Sequence, residues 1–249
     1  MPQVGTRRGI GRVDSGFFAD GDGFDLRIAG LTVLRHRISC PAVSVARGAA
    51  KVAMRHGNFR IEDAPFDRAD GGAWSLDERT VTLDGVVVLA FDPAESTLTV
   101  TALAPEADRI WLRLHAESGE QVWGGGEQMS YLALAGRRFP MWTSEPGVGR
   151  DKTTELTRLM DEQGMAGGDF WTTNYPQPTF LAALNAGQFW ACHLDATCYS
   201  VLDFTDPTAH EIEVWSGSVL RRRTPRVTPA GCRAVVSSAR AASRNRGVR

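Results

Sequence analysis

Lysine is nearly absent from this chain. Only Lys51 and Lys152 occur in 249 residues, and arginine carries almost all the positive charge, a bias that points to GC-rich coding DNA. Cysteine is scarce too. Cys40, Cys192, Cys198 and Cys232 have the spacing of neither a disulfide framework nor a zinc site, so they read as free thiols in a reducing cytoplasm. No apolar run approaches the ~18 to 20 residues that cross a bilayer. Asp and Gly interrupt the first thirty residues before a signal-peptide core can form, so no membrane partner is expected. Acid is missing from one end: nine of the 28 basic residues are arginines from Arg221 onward, where no Asp or Glu occurs, leaving 19 basic against 29 acidic residues upstream. Phosphate binding needs clustered Lys and Arg, so this acidic body argues against nucleic acid.

What remains is ordinary globular material, 43% hydrophobic and 23% charged, enough for a sizeable core. From about Gly23 to Ala116 the apolar residues come in short alternating runs. Phe24, Leu26 and Ile28 alternate with polar partners, as do Leu98, Val100 and Ala102 with Thr97, Thr99 and Thr101. Ile110, Leu112 and Leu114 alternate with Trp111, Arg113 and His115. Asp84-Gly85, between Val81 to Leu83 and Val86 to Phe91, suits a type I′ hairpin turn. Many short strands at this spacing predict an all-β fold, an antiparallel β-sandwich over about residues 10 to 215. Strands resume at Gly187 to His193, Tyr199 to Phe204 and Glu211 to Trp215, and His193 reads as a core histidine within its apolar strand.

Between Trp123 and Phe180 the alternation stops and Gly, Pro and aromatic residues crowd in. One short helix is predicted over Thr153 to Gln163, with Leu156, Leu159 and Met160 at i, i+3, i+4 and Gly164 closing it. A loop segment this long inside a compact domain is usually functional. The sequence thus divides into a sandwich domain, 1–215, containing the aromatic and glycine-rich segment 123–180, and a basic tail, 216–249. The tail reads either as a disordered basic arm or as out-of-frame translation, with Arg221 to Arg249 unstructured for want of periodic apolar surface.

Trp123-Gly-Gly-Gly-Glu-Gln-Met-Ser-Tyr131 brings flexible backbone beside a carboxylate and an amide. Arg137-Arg-Phe-Pro-Met-Trp-Thr-Ser-Glu-Pro-Gly-Val-Gly-Arg-Asp-Lys152 follows, then Ala166-Gly-Gly-Asp169 and Thr173-Asn-Tyr-Pro-Gln-Pro-Thr-Phe180. An apolar ring, a carboxylate and an amide are what cover a pyranose face and orient its hydroxyls. These runs, over about Gln121 to Trp215, resemble the sulfoquinovosidase branch of glycoside hydrolase family 31, the retaining α-glucosidase family. The resemblance implies a galactose-mutarotase-like N-terminal sandwich, an α-glycoside or sulfoquinovoside as the sugar partner, and no cofactor and no metal.

It also places Glu145 where the wider family presents a sugar-contacting carboxylate. Trp142 reads as packing or stacking, Gln128 as a loop brace or a sugar contact, and Arg150 as a sulfonate attractor or a local ion pair with Asp151. Lys152 is a second cation for a sulfonate, and Glu127 reads as a brace for the glycine amides. No residue is assigned as catalytic. The family's two aspartates sit on a (β/α)8 barrel that needs about 250 residues, and Asp195 and Asp203 match no catalytic motif. The expectation is therefore the N-terminal part of such a glycosidase, without the catalytic barrel and inactive alone. A stand-alone carbohydrate-binding sandwich and a basic-tailed interaction protein remain as alternatives.

Overall fold

The computed structural model describes residues 15–215, apart from positions 49, 56–57, 64–67, 71, 102–106, 129, 145–149, 166, 185–186 and 197, and then residues 231–240. In chain order the strands are β1 (Gly16–Asp20), β2 (Gly23–Ile28), β3 (Leu31–His36), β4 (Val43–Ala46), β5 (Lys51–Arg55), β6 (Asn58–Glu62) and β7 (Ala69–Asp70). β8 (Trp74–Leu76), β9 (Thr80–Leu83), β10 (Val86–Asp92), β11 (Thr97–Thr101), β12 (Arg109–His115), β13 (Gln121–Gly126) and β14 (Arg138–Met141) follow. Helix α1 (Glu155–Glu162) precedes β15 (Pro176–Ala183), β16 (Gln188–Asp195), β17 (Ser200–Asp203), β18 (Ala209–Trp215) and β19 (Gly231–Arg240). One sheet runs β1-β2-β3-β12-β18-β17-β14, with β4 beside β12 and β7 beside β4; the other runs β13-β15-β16-β19-β11-β10-β9-β8, and β5 and β6 form a separate hairpin. The architecture is the predicted antiparallel sandwich, with no (β/α)8 barrel among the described residues.

Alternation decides what lies between the sheets. Leu26, Leu34, Ile110, Leu112, Leu114, Ile212 and Val214 from the first sheet meet Val81, Leu89, Leu98, Val100, Phe180, Trp190 and Leu194 from the second, all essentially solvent-free. Asp84 and Gly85 both take positive φ, 47° and 82°, the geometry that a I′ turn requires and that Gly adopts without strain. The turn thereby sets the β9–β10 register.

Helix α1 forms inside its predicted span, trimmed by its caps. Thr154 Oγ1 accepts from the Thr157 amide at 3.3 Å, and Gly164 leaves the helix at φ 71°. The predicted apolar stripe is not buried, because Leu156 and Leu159 are exposed and only Thr157 packs inward. His193 is also displaced from expectation. Trp190, Cys192 and Leu194 take the inward positions of β16, so the two-residue period sends His193 outward. Among the described residues, the core histidines are His36 and His210.

The expectation that Arg221 to Arg249 lacks structure fails over Gly231–Arg240. β19 pairs along β11, Val100 opposite Cys232 and Leu98 opposite Ala234, and along β16, Cys192 opposite Val236 and Leu194 opposite Ala234. The described sandwich therefore extends past residue 215. Two strands with unfilled backbone donors and acceptors accept a partner through main-chain hydrogen bonds, a demand that side-chain periodicity within the segment does not reveal. Residues 216–230 and 241–249 lie outside the described residues.

Candidate functional site

The glycine run ends β13 by letting it approach β15 closely. A Cβ on Gly124 would lie 2.3 Å from the Thr179 carbonyl oxygen, and one on Gly126 2.0 Å from that of Tyr175. Both glycines have positive φ, 132° and 91°, and the β13–β15 register slips between them. The chain leaving this bulge is tied down by backbone. Glu127 N donates to Tyr175 O at 3.2 Å and Gln128 N to Gly126 O at 2.8 Å. Buried Thr173 donates its hydroxyl to Glu127 O, and its carbonyl accepts from Ser144 N at 3.2 Å. The segments that carry Gln128 and Trp142 are thus held to the same threonine.

The expected brace is made by the backbone of Glu127 rather than its carboxylate, which is exposed and shares no hydrogen bond or ion pair with another described residue. Gln128 differs: its amide oxygen and nitrogen are both buried, with no hydrogen-bond partner among the described residues. A buried amide without partners costs stability, so nothing described here makes it a satisfied loop brace. Trp142 is half-buried, with its ring edge-on to Tyr199 at 5.5 Å, and Tyr199 meets Trp215 in turn at 4.6 Å. Burial in this aromatic column pushes the Tyr199 hydroxyl up to about 12. Beneath it, the solvent-free Arg109 guanidinium lies 3.6 Å from the Trp215 ring centre.

Arg150 sits with its guanidinium 5.9 Å from the centre of the Phe170 ring. Asp151 accepts from the Thr153 amide and hydroxyl at 2.9 and 2.6 Å, bonds that hold its carboxyl below the usual range. Lys152 is engaged internally, with Nζ 3.0 Å from Asp161 of α1 and 2.8 Å from Gly167 O, so it fastens the helix. Glu145 lies outside the described residues.

Asp203 belongs to β17 of one sheet and Asp195 to β16 of the other. Asp203 is spent on the Thr205 amide and hydroxyl at 2.9 and 2.6 Å, and no described feature joins it to Asp195. Nor do the described His, Cys, Asp and Glu residues form a cluster suited to a metal ion. Cys40 and Cys198 are free thiols, that of Cys198 pushed up by burial.

A feature missed in the sequence lies on the outer side of the second sheet. Trp123, Glu127, Tyr175, Gln177, Thr179 and Leu181 line an open groove of about 440 Å³. Its signal was Tyr175-Pro-Gln-Pro-Thr179, in which two prolines flank an outward amide, but only the β13–β15 pairing sets that stretch against Trp123.

No protein-family model matches the chain. It is 44% identical over 201 residues to a sulfoquinovosidase from Agrobacterium fabrum, an alignment covering 78% of this chain and 29% of that protein. It is 34% identical over 232 residues to an Escherichia coli sulfoquinovosidase, covering 84% of this chain and 32% of that one. A solved structure of a family 31 sulfoquinovosidase from E. rectale, in complex with the aza-sugar inhibitor IFGSQ, superposes with a TM-score of 0.69 at 32% identity, over 89% of this chain and 32% of that one. The chain spans under a third of the length of these relatives, and the part it matches is N-terminal. Identity at this level over most of the chain, on a shared fold, shows that the chain corresponds to the N-terminal portion of the sulfoquinovosidases of glycoside hydrolase family 31.

Proposed function

We propose that this chain is the sugar-facing N-terminal part of an enzyme that hydrolyses α-sulfoquinovosides, and that it does not turn over substrate alone. The 44% identity to a sulfoquinovosidase, confined to 29% of that protein, carries the reading. Retention of configuration requires two carboxyl groups about 5 to 5.5 Å apart, one attacking the anomeric carbon and the other protonating the leaving oxygen. Asp195 and Asp203 belong to different sheets, and no described interaction joins them as such a pair. The work left to this part is recognition. Glu145 orients a sugar hydroxyl, Gln128 offers an amide, Trp142 supports the segment that carries Glu145, and Arg150 adds a positive charge near an anionic sugar. The partner is a (β/α)8 catalytic body, and the free thiols fit a reducing cytoplasm.

The test is a chimera in which residues 1–215 replace the matching part of the A. fabrum relative. The expected result is hydrolysis of an aryl α-sulfoquinovoside by the chimera, lowered about 10²-fold by Glu145→Gln as one transition-state contact is lost, and none by the isolated chain. Turnover by the isolated chain that disappears on Asp195→Asn or Asp203→Asn overturns the proposal.

A further inference from the structure

The outer groove of the second sheet contains none of the residues placed above at the sulfoquinovoside, and its chemistry differs. Trp123 is half-buried in its wall, Tyr175 is 65% exposed and Leu181 41% exposed. Ala191 contributes a side chain too small to fill the space. Around this apolar surface stand polar groups left unspent by the fold: the Glu127 carboxylate and the exposed Gln177 amide. Thr179 adds a hydroxyl, 2.7 Å from Nδ1 of outward His193. Among the described residues, no lysine or arginine lines the groove.

We infer that this groove is a binding site for a neutral pyranoside, separate from the contacts proposed for sulfoquinovose. A pyranose ring has an apolar face of C–H groups and an equatorial rim of hydroxyls. The Trp123–Leu181 surface covers the first, and the carboxylate and amide pair with the second. About 440 Å³ lies in the range of small-molecule sites. The groove is shallow and open, so most of the ligand stays in water and the affinity is millimolar. Charge sets the selectivity. Among the described residues, Glu127 is the one charged group lining the groove, and it repels a sulfonate while accepting hydrogen bonds from uncharged sugar hydroxyls. The site therefore takes a glucoside-like ligand and discriminates against sulfoquinovose.

The experiment is a titration of the full chain with methyl α-glucoside and, separately, with methyl α-sulfoquinovoside, followed by amide and indole chemical shifts. The expected result is saturable millimolar binding of the neutral sugar with shifts at Trp123 and Gln177. Tyr175→Ala and Gln177→Ala each weaken it about 5- to 10-fold, as expected for a lost contact of roughly 1 kcal/mol. Glu127→Gln narrows the preference over the sulfonated sugar, and Ile38→Ala, at an exposed site on another part of the surface, leaves binding unchanged. Absence of saturable binding, equal weakening by Ile38→Ala, or self-association of the chain that Tyr175→Ala abolishes without any sugar effect would overturn the assignment. The chimera experiment reports on residues 142–150 and an anionic substrate, so either proposal can fail while the other stands.

Discussion

The two outer faces of the sandwich solve the same problem in opposite ways. On the first sheet the outward positions are charged and already paired. Buried Asp25 is flanked by Arg27, Arg35 and Arg37 at 3.6, 3.3 and 3.2 Å. Arg138 reaches Glu213 at 2.8 Å and Asp203 at 3.5 Å, and Arg113 pairs with Asp206. Arg68 holds Glu211 at 2.9 Å while lying 4.1 Å above the Trp111 ring. On the second sheet the described outward side chains between β13 and β11 include Trp123, Thr179, Leu181, Ala191, His193 and Thr99, with little charge and a groove. A face whose charges satisfy each other has little left to offer a ligand. A face with rings and unspent polar groups does, and the groove proposed as a pyranoside site lies on that face.

Removing the second sheet's central strand breaks the comparison most severely. A chain ending at Trp215 lacks β19, which leaves β11 and β16 without their shared partner, and the expected outcome is loss of the single cooperative urea transition. A sharp transition at an unchanged midpoint would show that β19 contributes nothing. Next comes the buried charge at the end of the first sheet. Arg109 is solvent-free, 3.1 Å from Asp108 and 3.5 Å from Asp63, and Gly48 packs against its guanidinium so tightly that a Cβ there would lie 2.5 Å away. Arg109→Ala leaves Asp108 uncompensated and opens a void, costing about 3 to 5 kcal/mol, whereas Arg109→Met costs less because no buried cation must then be matched. Urea denaturation of the two variants measures the difference.

Acidification has a smaller effect. Burial, with Arg37 alongside, lowers the pKa of His36, and burial, with Arg35 alongside, lowers that of His115. Each therefore binds a proton more readily unfolded than folded. Their contribution is complete above about pH 6.5, the unfolded value, and is lost as pH falls below it toward the folded values. The expected observation is a urea midpoint that declines below that pH. The decline is less steep in His36→Phe, which keeps the stack on Phe24 but gives up the acceptor for the Ala42 amide. The smallest effect belongs to the solvent side of the charged face. Arg68 and Glu211 are partly exposed, so Glu211→Gln is expected to cost no more than about 1 kcal/mol and to cost less in high salt. A larger, salt-insensitive loss would mean that the outer ladder is a structural element comparable to the core.

How far the site was legible follows from the same residues. Trp142, Gln128 and Arg150 were visible as a pattern, but their surroundings were not. That Lys152 is spent on Asp161 depends on where α1 docks, and that Gln128 has no described partner depends on how Leu134 and Met141 pack near Gly125. His193 was misplaced because an apolar run does not by itself state which parity faces inward, and a shift of one residue exchanges the faces.

By itself, the sequence determined the all-β class, the Asp84-Gly85 turn and the capped helix before Gly164, because these depend on local conformational preference and on a period of two that a short window contains. It also determined the family, since the glycine, aromatic and carboxylate runs from Trp123 to Phe180 are specific. Only the tertiary structure decided that a weakly patterned segment after residue 230 is the central strand of a sheet. Only it decided that Trp123 and Tyr175, distant in sequence, share a groove, and that Arg109 is buried under Trp215 rather than exposed on its strand. Each of these rests on partners contributed from far along the chain, whose backbone donors, rings and charges become neighbours only when the two sheets close.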